Sequence, residues 1–235
     1  MKKILLCCIC ISQLIISNSF AHDDNLELVR EFLQDITRDN KHHMETLDRK
    51  TYRNFADKQT PRATVVMCSD SRIQNDDFKM HDVNDLFVIR NIGNQIRNAA
   101  GSVEYDVHFL KTPVLLIVGH SGCGAIRARV DKTDVNNNNI EKELESLHLH
   151  KIDSLNEGIL VNIHNQVDYA MHHFKELIKE NKLVIIGAID DFQNTYKKGV
   201  GRFIIVNLNG EKTPSEIASS PYFKDVKDLI TLNHE

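Results

Sequence analysis

The sequence predicts an α/β protein: a mainly parallel central β-sheet with helices on both faces and an N-terminal helical arm. Three observations carry that reading. Short apolar runs at 63–67, 86–90, 114–118, 183–189 and 203–208 have the length and the Val/Ile/Leu content of strands. Segments with apolar residues at three- and four-residue spacing alternate with them, which implies parallel strands covered on both faces. An amphipathic stretch without a strand of its own precedes the first run.

The N-terminus stands apart from the rest. Met1-Lys2-Lys3 gives a positive start, Ile4–Ile16 is mostly apolar, and Ser19-Phe20-Ala21 puts small residues at both key positions of a cleavage site before His22. That is the layout of a secretory signal peptide, and the apolar run is shorter than the roughly 20 residues that span a bilayer. Residues 1–21 are therefore expected to be removed, leaving 22–235 as a single domain secreted to the periplasm without membrane contact. Within it, 22–57 is expected to form the helical arm. Cleavage also removes Cys7, Cys8 and Cys10, so Cys68 and Cys123 remain. Two cysteines in an oxidising compartment suggest a disulfide by default.

Along the mature chain, Leu26, Val29, Phe32, Leu33 and Ile36 recur at helical spacing, and Met44 with Leu47 extends the pattern toward Asn54. Pro61 introduces the first strand, Ala63–Met67, and Leu86–Arg90 is the second. Ala99–Leu110 reads as a helix with Val103, Val107 and Leu110 on one side. Val114–Val118 follows Pro113 as a continuous run, the mark of a strand buried on both faces. A helix starts near Gly124, Asn136–Asn139 reads as a loop, and Ile140–Leu155 and Ile159–Lys179 read as helices. Leu183–Ile189 and Phe203–Leu208 complete the strands. There is no repeat and no interdomain linker.

Composition narrows the partners. The 235-residue chain has 26% charged residues and a formal net charge of −4, with Lys and Arg scattered rather than blocked. Nucleic acid is not an expected partner.

Two segments carry the chemistry, each where a strand runs out. In Val65-Val66-Met67-Cys68-Ser69-Asp70-Ser71-Arg72, alternation lets Cys68, Asp70 and Arg72 point the same way. In Val118-Gly119-His120-Ser121-Gly122-Cys123-Gly124, the glycines permit tight backbone around His120 and Cys123. Ligand sites in parallel sheets gather beyond the carboxyl ends of the strands. Cys68, His120 and Cys123 together form a zinc-type set of two thiolates and an imidazole. Asp70 is available as a fourth ligand; otherwise that position holds water. A closed tetrahedron would be structural, and an open one a Lewis-acid site.

The Cys-x-Asp-x-Arg and His-x-x-Cys segments resemble the paired signature of the β-class carbonic anhydrases. Gln59-Thr60-Pro61, Asp85-Leu86-Phe87-Val88-Ile89-Arg90-Asn91 and Gly101-Ser102-Val103-Glu104-Tyr105 resemble further family segments, so the likeness runs from about Asn54 to Val130, with an echo at Ile186-Gly187-Ala188. The resemblance implies Zn2+ on Cys68, His120 and Cys123. It implies a dyad in which Arg72 holds Asp70 off the metal, with Asp70 ligating and shutting the site when Arg72 lets go. It also implies a pocket for carbon dioxide and bicarbonate lined by Gln59, Phe87 and Tyr105 at the interface of a homodimer or larger homo-oligomer. Zinc brings the pKa of bound water to roughly 7, so the expected reaction is attack of hydroxide on carbon dioxide beside Phe87 and Tyr105, with Gln59 donating to a developing oxygen. Carbon disulfide or carbonyl sulfide hydrolysis on the same scaffold, and a closed structural zinc protein, are the alternatives. The chain lacks tryptophan, which one subgroup uses in a regulatory bicarbonate pocket, and 190–201 departs from the short turn expected there.

Overall fold

The computed structural model describes residues 5–80, 82–224 and 226, with the backbone alone for 5–24. The Met1-Lys2-Lys3 start and the side chains of the leader motif thus lie outside the described residues. The chain divides into two compact units, residues 1–57 and 58–235. The first contains helix α1 (Leu5–Thr46) and helix α2 (Arg49–Asn54), whose N-cap Asp48 accepts from the Lys50 N–H. Leu26, Val29, Phe32, Leu33, Ile36 and Met44, which predicted this helix, are exposed on α1, and Leu47 lies just past its end.

The second unit is built on a five-stranded sheet in the order β2-β1-β3-β4-β5. Its strands are β1 (Ala63–Cys68), β2 (Leu86–Asn91), β3 (Val114–His120), β4 (Val184–Asp191) and β5 (Arg202–Leu208). The first four are parallel and β5 runs antiparallel to β4. Successive strand residues face opposite ways, so five consecutive buried residues in β1 and in β4 mean that both faces of the sheet are covered. Alternate β1 residues enter different apolar clusters, Val65 and Met67 one and Val66 the other. This is the α/β sheet that the sequence predicts.

The connecting helices are α3 (Ala100–Glu104), α4 (Gly124–Val130), α5 (Asn138–Glu145), α6 (Leu155–His173), α7 (Lys175–Lys179) and α8 (Pro214–Ser219). Three differ from expectation. Helix α3 passes into a π-helical turn at Tyr105–Leu110, which Lys111 ends at φ 63°. Helix α5 is shorter than 140–155. Asn137, inside the asparagine tract, caps it by accepting from the Asn139 and Ile140 N–H groups, and left-handed His148 and Lys151 prevent its continuation. Helix α6 begins before Ile159 because the Ser154 side chain caps it at Glu157 N–H.

Helix α6 packs close to the sheet where side chains are missing. A Cβ on Gly119 would lie 2.7 Å from Ile163 Cδ1, so any side chain one residue before His120 would have to displace Ile163.

Candidate metal centre

The site forms at the carboxyl edge of β1 and β3. Cys68 is the last residue of β1 and His120 the last of β3, while Cys123 is the N-cap of α4. All three are buried, and their ligand atoms lie within 4.8 Å of one another. A tetrahedral zinc with bonds of 2.0–2.3 Å separates its ligands by roughly 3.3–3.8 Å, so one ion can reach all three with a small contraction. Both cysteines are free thiols.

Each ligand has a local reason for its pose. His120 is fully buried, and its Nδ1–H donates to the Ser121 carbonyl at 3.0 Å. That bond fixes the ring and leaves Nε2 as the atom with the lone pair. His120 Nε2 is buried with no hydrogen-bond partner. An unsatisfied buried acceptor is costly, and a cation between it and the two sulfurs removes the cost. The cysteines show the same incompleteness. Cys68 is lowered below a normal thiol, first because Cys123 donates to it, whereas the Cys123 thiol is pushed up by that same shared proton and then by burial. Two buried sulfurs keep one proton between them until a cation lets both ionise. The donor set fits zinc.

The loop after β1 is held by a residue that sequence reasoning did not single out. Arg90 on β2 donates to the carbonyls of Cys68 (3.0 Å), Asp70 (2.8 Å) and Ile73 (2.9 Å), and to Gln74 Oε1 at 2.9 Å. One rigid guanidinium thereby sets the turn that presents Cys68 and Asp70. The signal was an arginine in an apolar strand.

Asp70 and Arg72 form a two-pronged pair. Arg72 Nε donates to Oδ1 at 2.9 Å and Nη2 to Oδ2 at 2.6 Å; the Arg72 backbone N–H also reaches Oδ1 at 3.0 Å. Nη2 further donates to the Gly122 carbonyl at 3.1 Å, joining the two loops. The Arg72 side chain holds the Asp70 carboxyl far below the usual carboxylate range. Asp70 Oδ2 lies 3.8 Å from His120 Nε2, beside the ligands but bound to Arg72.

The connection between β4 and β5 reaches the same place. Buried Asp191 accepts from the Thr195 and Tyr196 N–H groups at 2.8 and 2.9 Å, and its carbonyl accepts from Gly201 N–H at 3.0 Å. The next residue, Phe192, lies with its ring 6.1 Å from the His120 ring, and the Gln193 N–H donates to Ser121 Oγ at 3.1 Å. The segment that the sequence left unread is a wall of the site. Asp190 ends beside it as a buried carboxyl pushed up to about 6, by burial first and then by Asp77.

Two of the three expected pocket residues, Phe87 and Tyr105, lie together elsewhere within this chain. Phe87 pairs with Thr64, while Cys68 pairs with Asn91. Phe87 is thus four residues from the ligand end of the sheet, roughly 13 Å at the usual strand rise. Tyr105 lies 6.0 Å from the Phe87 ring and stacks at 5.2 Å on Phe109, which is 72% exposed. Gln59 is exposed in the segment before β1. The structure brings together Cys68, Asp70, Arg72, His120 and Cys123, and does not bring Phe87 or Tyr105 to them within one chain.

Comparison with known proteins agrees with this geometry. The family model described as carbonic anhydrase matches residues 63–196, more than half of the chain. A carbonic anhydrase of Mycolicibacterium smegmatis is 40% identical over 77 residues, covering 32% of this chain and 37% of that protein. Beta carbonic anhydrase 3 of Arabidopsis thaliana is 26% identical over 192 residues, 70% of this chain and 71% of that one. Among solved structures, the β-carbonic anhydrase CcaA superposes with a TM-score of 0.65 at 21% identity, covering 75% of this chain and 95% of that one. One of two tetrameric β-carbonic anhydrases of Sordaria macrospora gives 0.63 at 21% identity, covering 76% and 98%. The fold and site define an α/β protein with a Cys-His-Cys cluster able to hold a metal ion at the carboxyl edge of its sheet. The chain belongs to the carbonic anhydrase family, in its β class.

Proposed function

We propose that the protein catalyses the reversible hydration of carbon dioxide to bicarbonate and a proton, with zinc held by Cys68, His120 and Cys123. The observation that carries this reading is the buried, unpartnered His120 Nε2 gathered with two cysteine sulfurs within 4.8 Å. Zinc supplies Lewis acidity that makes water nucleophilic near neutral pH.

The rest of the work belongs to the chain. Arg72 keeps Asp70 ionised and fixes both its oxygens. Asp70 Oδ2 is therefore an acceptor beside the ligands, able to take an O–H and turn a water's lone pair toward substrate. Occupied by Arg72, the same carboxylate is kept from serving as a fourth ligand to a metal that Cys68, His120 and Cys123 would hold, which would separate an enzyme from a closed structural site. The Arg72 charge also offsets the negative charge of the two thiolates.

The apolar side of the pocket points to an assembly. Phe87 and Tyr105 lie at the far end of the sheet from their own chain's ligands, and Tyr105 and Phe109 leave an exposed aromatic surface. A homo-oligomer in which this surface faces the ligand end of another copy completes the pocket with Gln59, Phe87 and Tyr105. The reading also includes removal of 1–21 and a periplasmic location, which rests on the leader motif alone. Metal ligation would there protect Cys68 and Cys123 from oxidation.

Stopped-flow carbon dioxide hydration by the mature chain tests the proposal. The expected result is activity that a chelator removes and zinc restores. Stoichiometric zinc without turnover at any pH would contradict it.

A further inference from the structure

We propose that Phe192 is the positioning residue that holds Arg72 on Asp70 and so keeps the carboxylate away from the metal corner. The inference rests on the catalytic reading above and adds to it a part drawn from the long connection between β4 and β5.

Arg72 needs such a partner. Its side chain is 48% exposed, while Asp70 is only 15% exposed. Water competes for the guanidinium, and a long side chain that lets go gains rotamer freedom. The Arg72 guanidinium carbon lies 5.0 Å from the centre of the Phe192 ring. At that separation the ring's negative face attracts the cation, by an amount worth about three- to tenfold in the populations it favours. The contact is made while both Asp70 oxygens are bound, so it favours the paired state.

The ring stands on a fixed frame. Asp191 ties the loop through the Thr195, Tyr196 and Gly201 N–H groups. On the other side, Gln193 is bonded to Ser121, and the Phe192 ring lies nearly parallel to His120 at an interplanar angle of 24°. Phe192 thus touches a metal ligand and the arginine of the dyad at once. Release of Arg72 would leave Asp70 Oδ2 near His120 Nε2, where it starts at 3.8 Å. The ring acts on the metal site through Arg72, not through substrate.

The test follows the Arg72 Nε–H by nuclear magnetic resonance in the zinc-loaded protein labelled with 15N-arginine. The signal is identified as the one lost in Arg72→Lys. Its exchange with water should accelerate about three- to tenfold in Phe192→Leu, which keeps apolar bulk and removes the π face, and should return to the original rate in Phe192→Tyr. The Arg90 Nε–H, bonded to the Cys68 carbonyl, is the internal control and should not change. Unchanged Arg72 exchange in Phe192→Leu overturns the proposal. So does equal acceleration at Arg90, which would mean that Phe192 only stiffens the whole loop. Should Phe192→Leu not fold, Phe192→Met serves the same comparison. Zinc content measured on the same samples keeps the two readings apart. Wild-type protein without zinc sinks the catalytic reading, whereas bound zinc with an indifferent Arg72 sinks only the role of Phe192.

Discussion

The two ends of the sheet treat an aspartate in opposite ways. At the carboxyl end, Asp70 is gripped by Arg72 and held far below the usual carboxylate range. At the amino end of the same strand, Thr64 donates its hydroxyl to Asp106 Oδ2, and Thr112 donates to that oxygen at 3.2 Å. Asp106 is fully buried, its Oδ1 has no partner, and burial pushes its carboxyl up. Four residues of β1 separate the two environments. Burial alone does not make a carboxyl functional; the partner decides. A guanidinium keeps Asp70 charged beside a cation site, while at Asp106 burial outweighs the two hydroxyl donors and favours the neutral form, which suits a structural role.

The largest expected effect is at the ligand end. His120→Ala removes one of three donors, and metal analysis should find zinc and hydration activity lost together. If that variant retained stoichiometric zinc, the contrast between the two ends would lose its basis. Arg72→Ala should keep zinc but free Asp70. Two charge-assisted bonds on a half-exposed arginine count for about 1.5 kcal/mol after solvent screening, or about tenfold in the open population. Hydration at neutral pH should fall by about that factor, and Arg72→Lys should recover only part of it because the fork is gone.

Gly122→Ala tests the join between the two ligand loops. Gly122 has φ +67°, and a Cβ there would lie 2.6 Å from the Gln193 side chain. A destabilisation of about 1–2 kcal/mol is expected from the left-handed backbone, readable as a lower urea midpoint. Asp106→Asn should give the smallest change, visible only against pH. Because the folded-state pKa of Asp106 is raised, its stabilising contribution is present below the normal carboxylate pKa and is lost as pH rises through the raised value. The asparagine variant should lose less stability over that rise. An identical pH dependence in both proteins would show that Asp106 is not held neutral.

Much of this was legible in the residues. The five apolar runs gave the strands to within three residues, because buried parallel strands write themselves as continuous runs. Cys68, Asp70, Arg72, His120 and Cys123 were readable because strand alternation and two glycines constrain where they point. The roles of Arg90 and Phe192 were not readable. Arg90 acts by bonding carbonyls, which leave no mark in sequence, and Phe192 reaches the site because β4 pairs with β3 so that Asp190 lies opposite His120, a pairing of segments distant in sequence. The start of α5 was hidden for a similar reason, since a run of four asparagines gives no sign that Asn137 is the one that caps the helix.

A crystal structure with anomalous scattering recorded at the zinc edge tests the central claim most directly. The account predicts a single strong peak bonded to Cys68 Sγ, His120 Nε2 and Cys123 Sγ, with Asp70 turned to Arg72. A bond between the two sulfurs, or zinc bound elsewhere with these three atoms left apart, would contradict it.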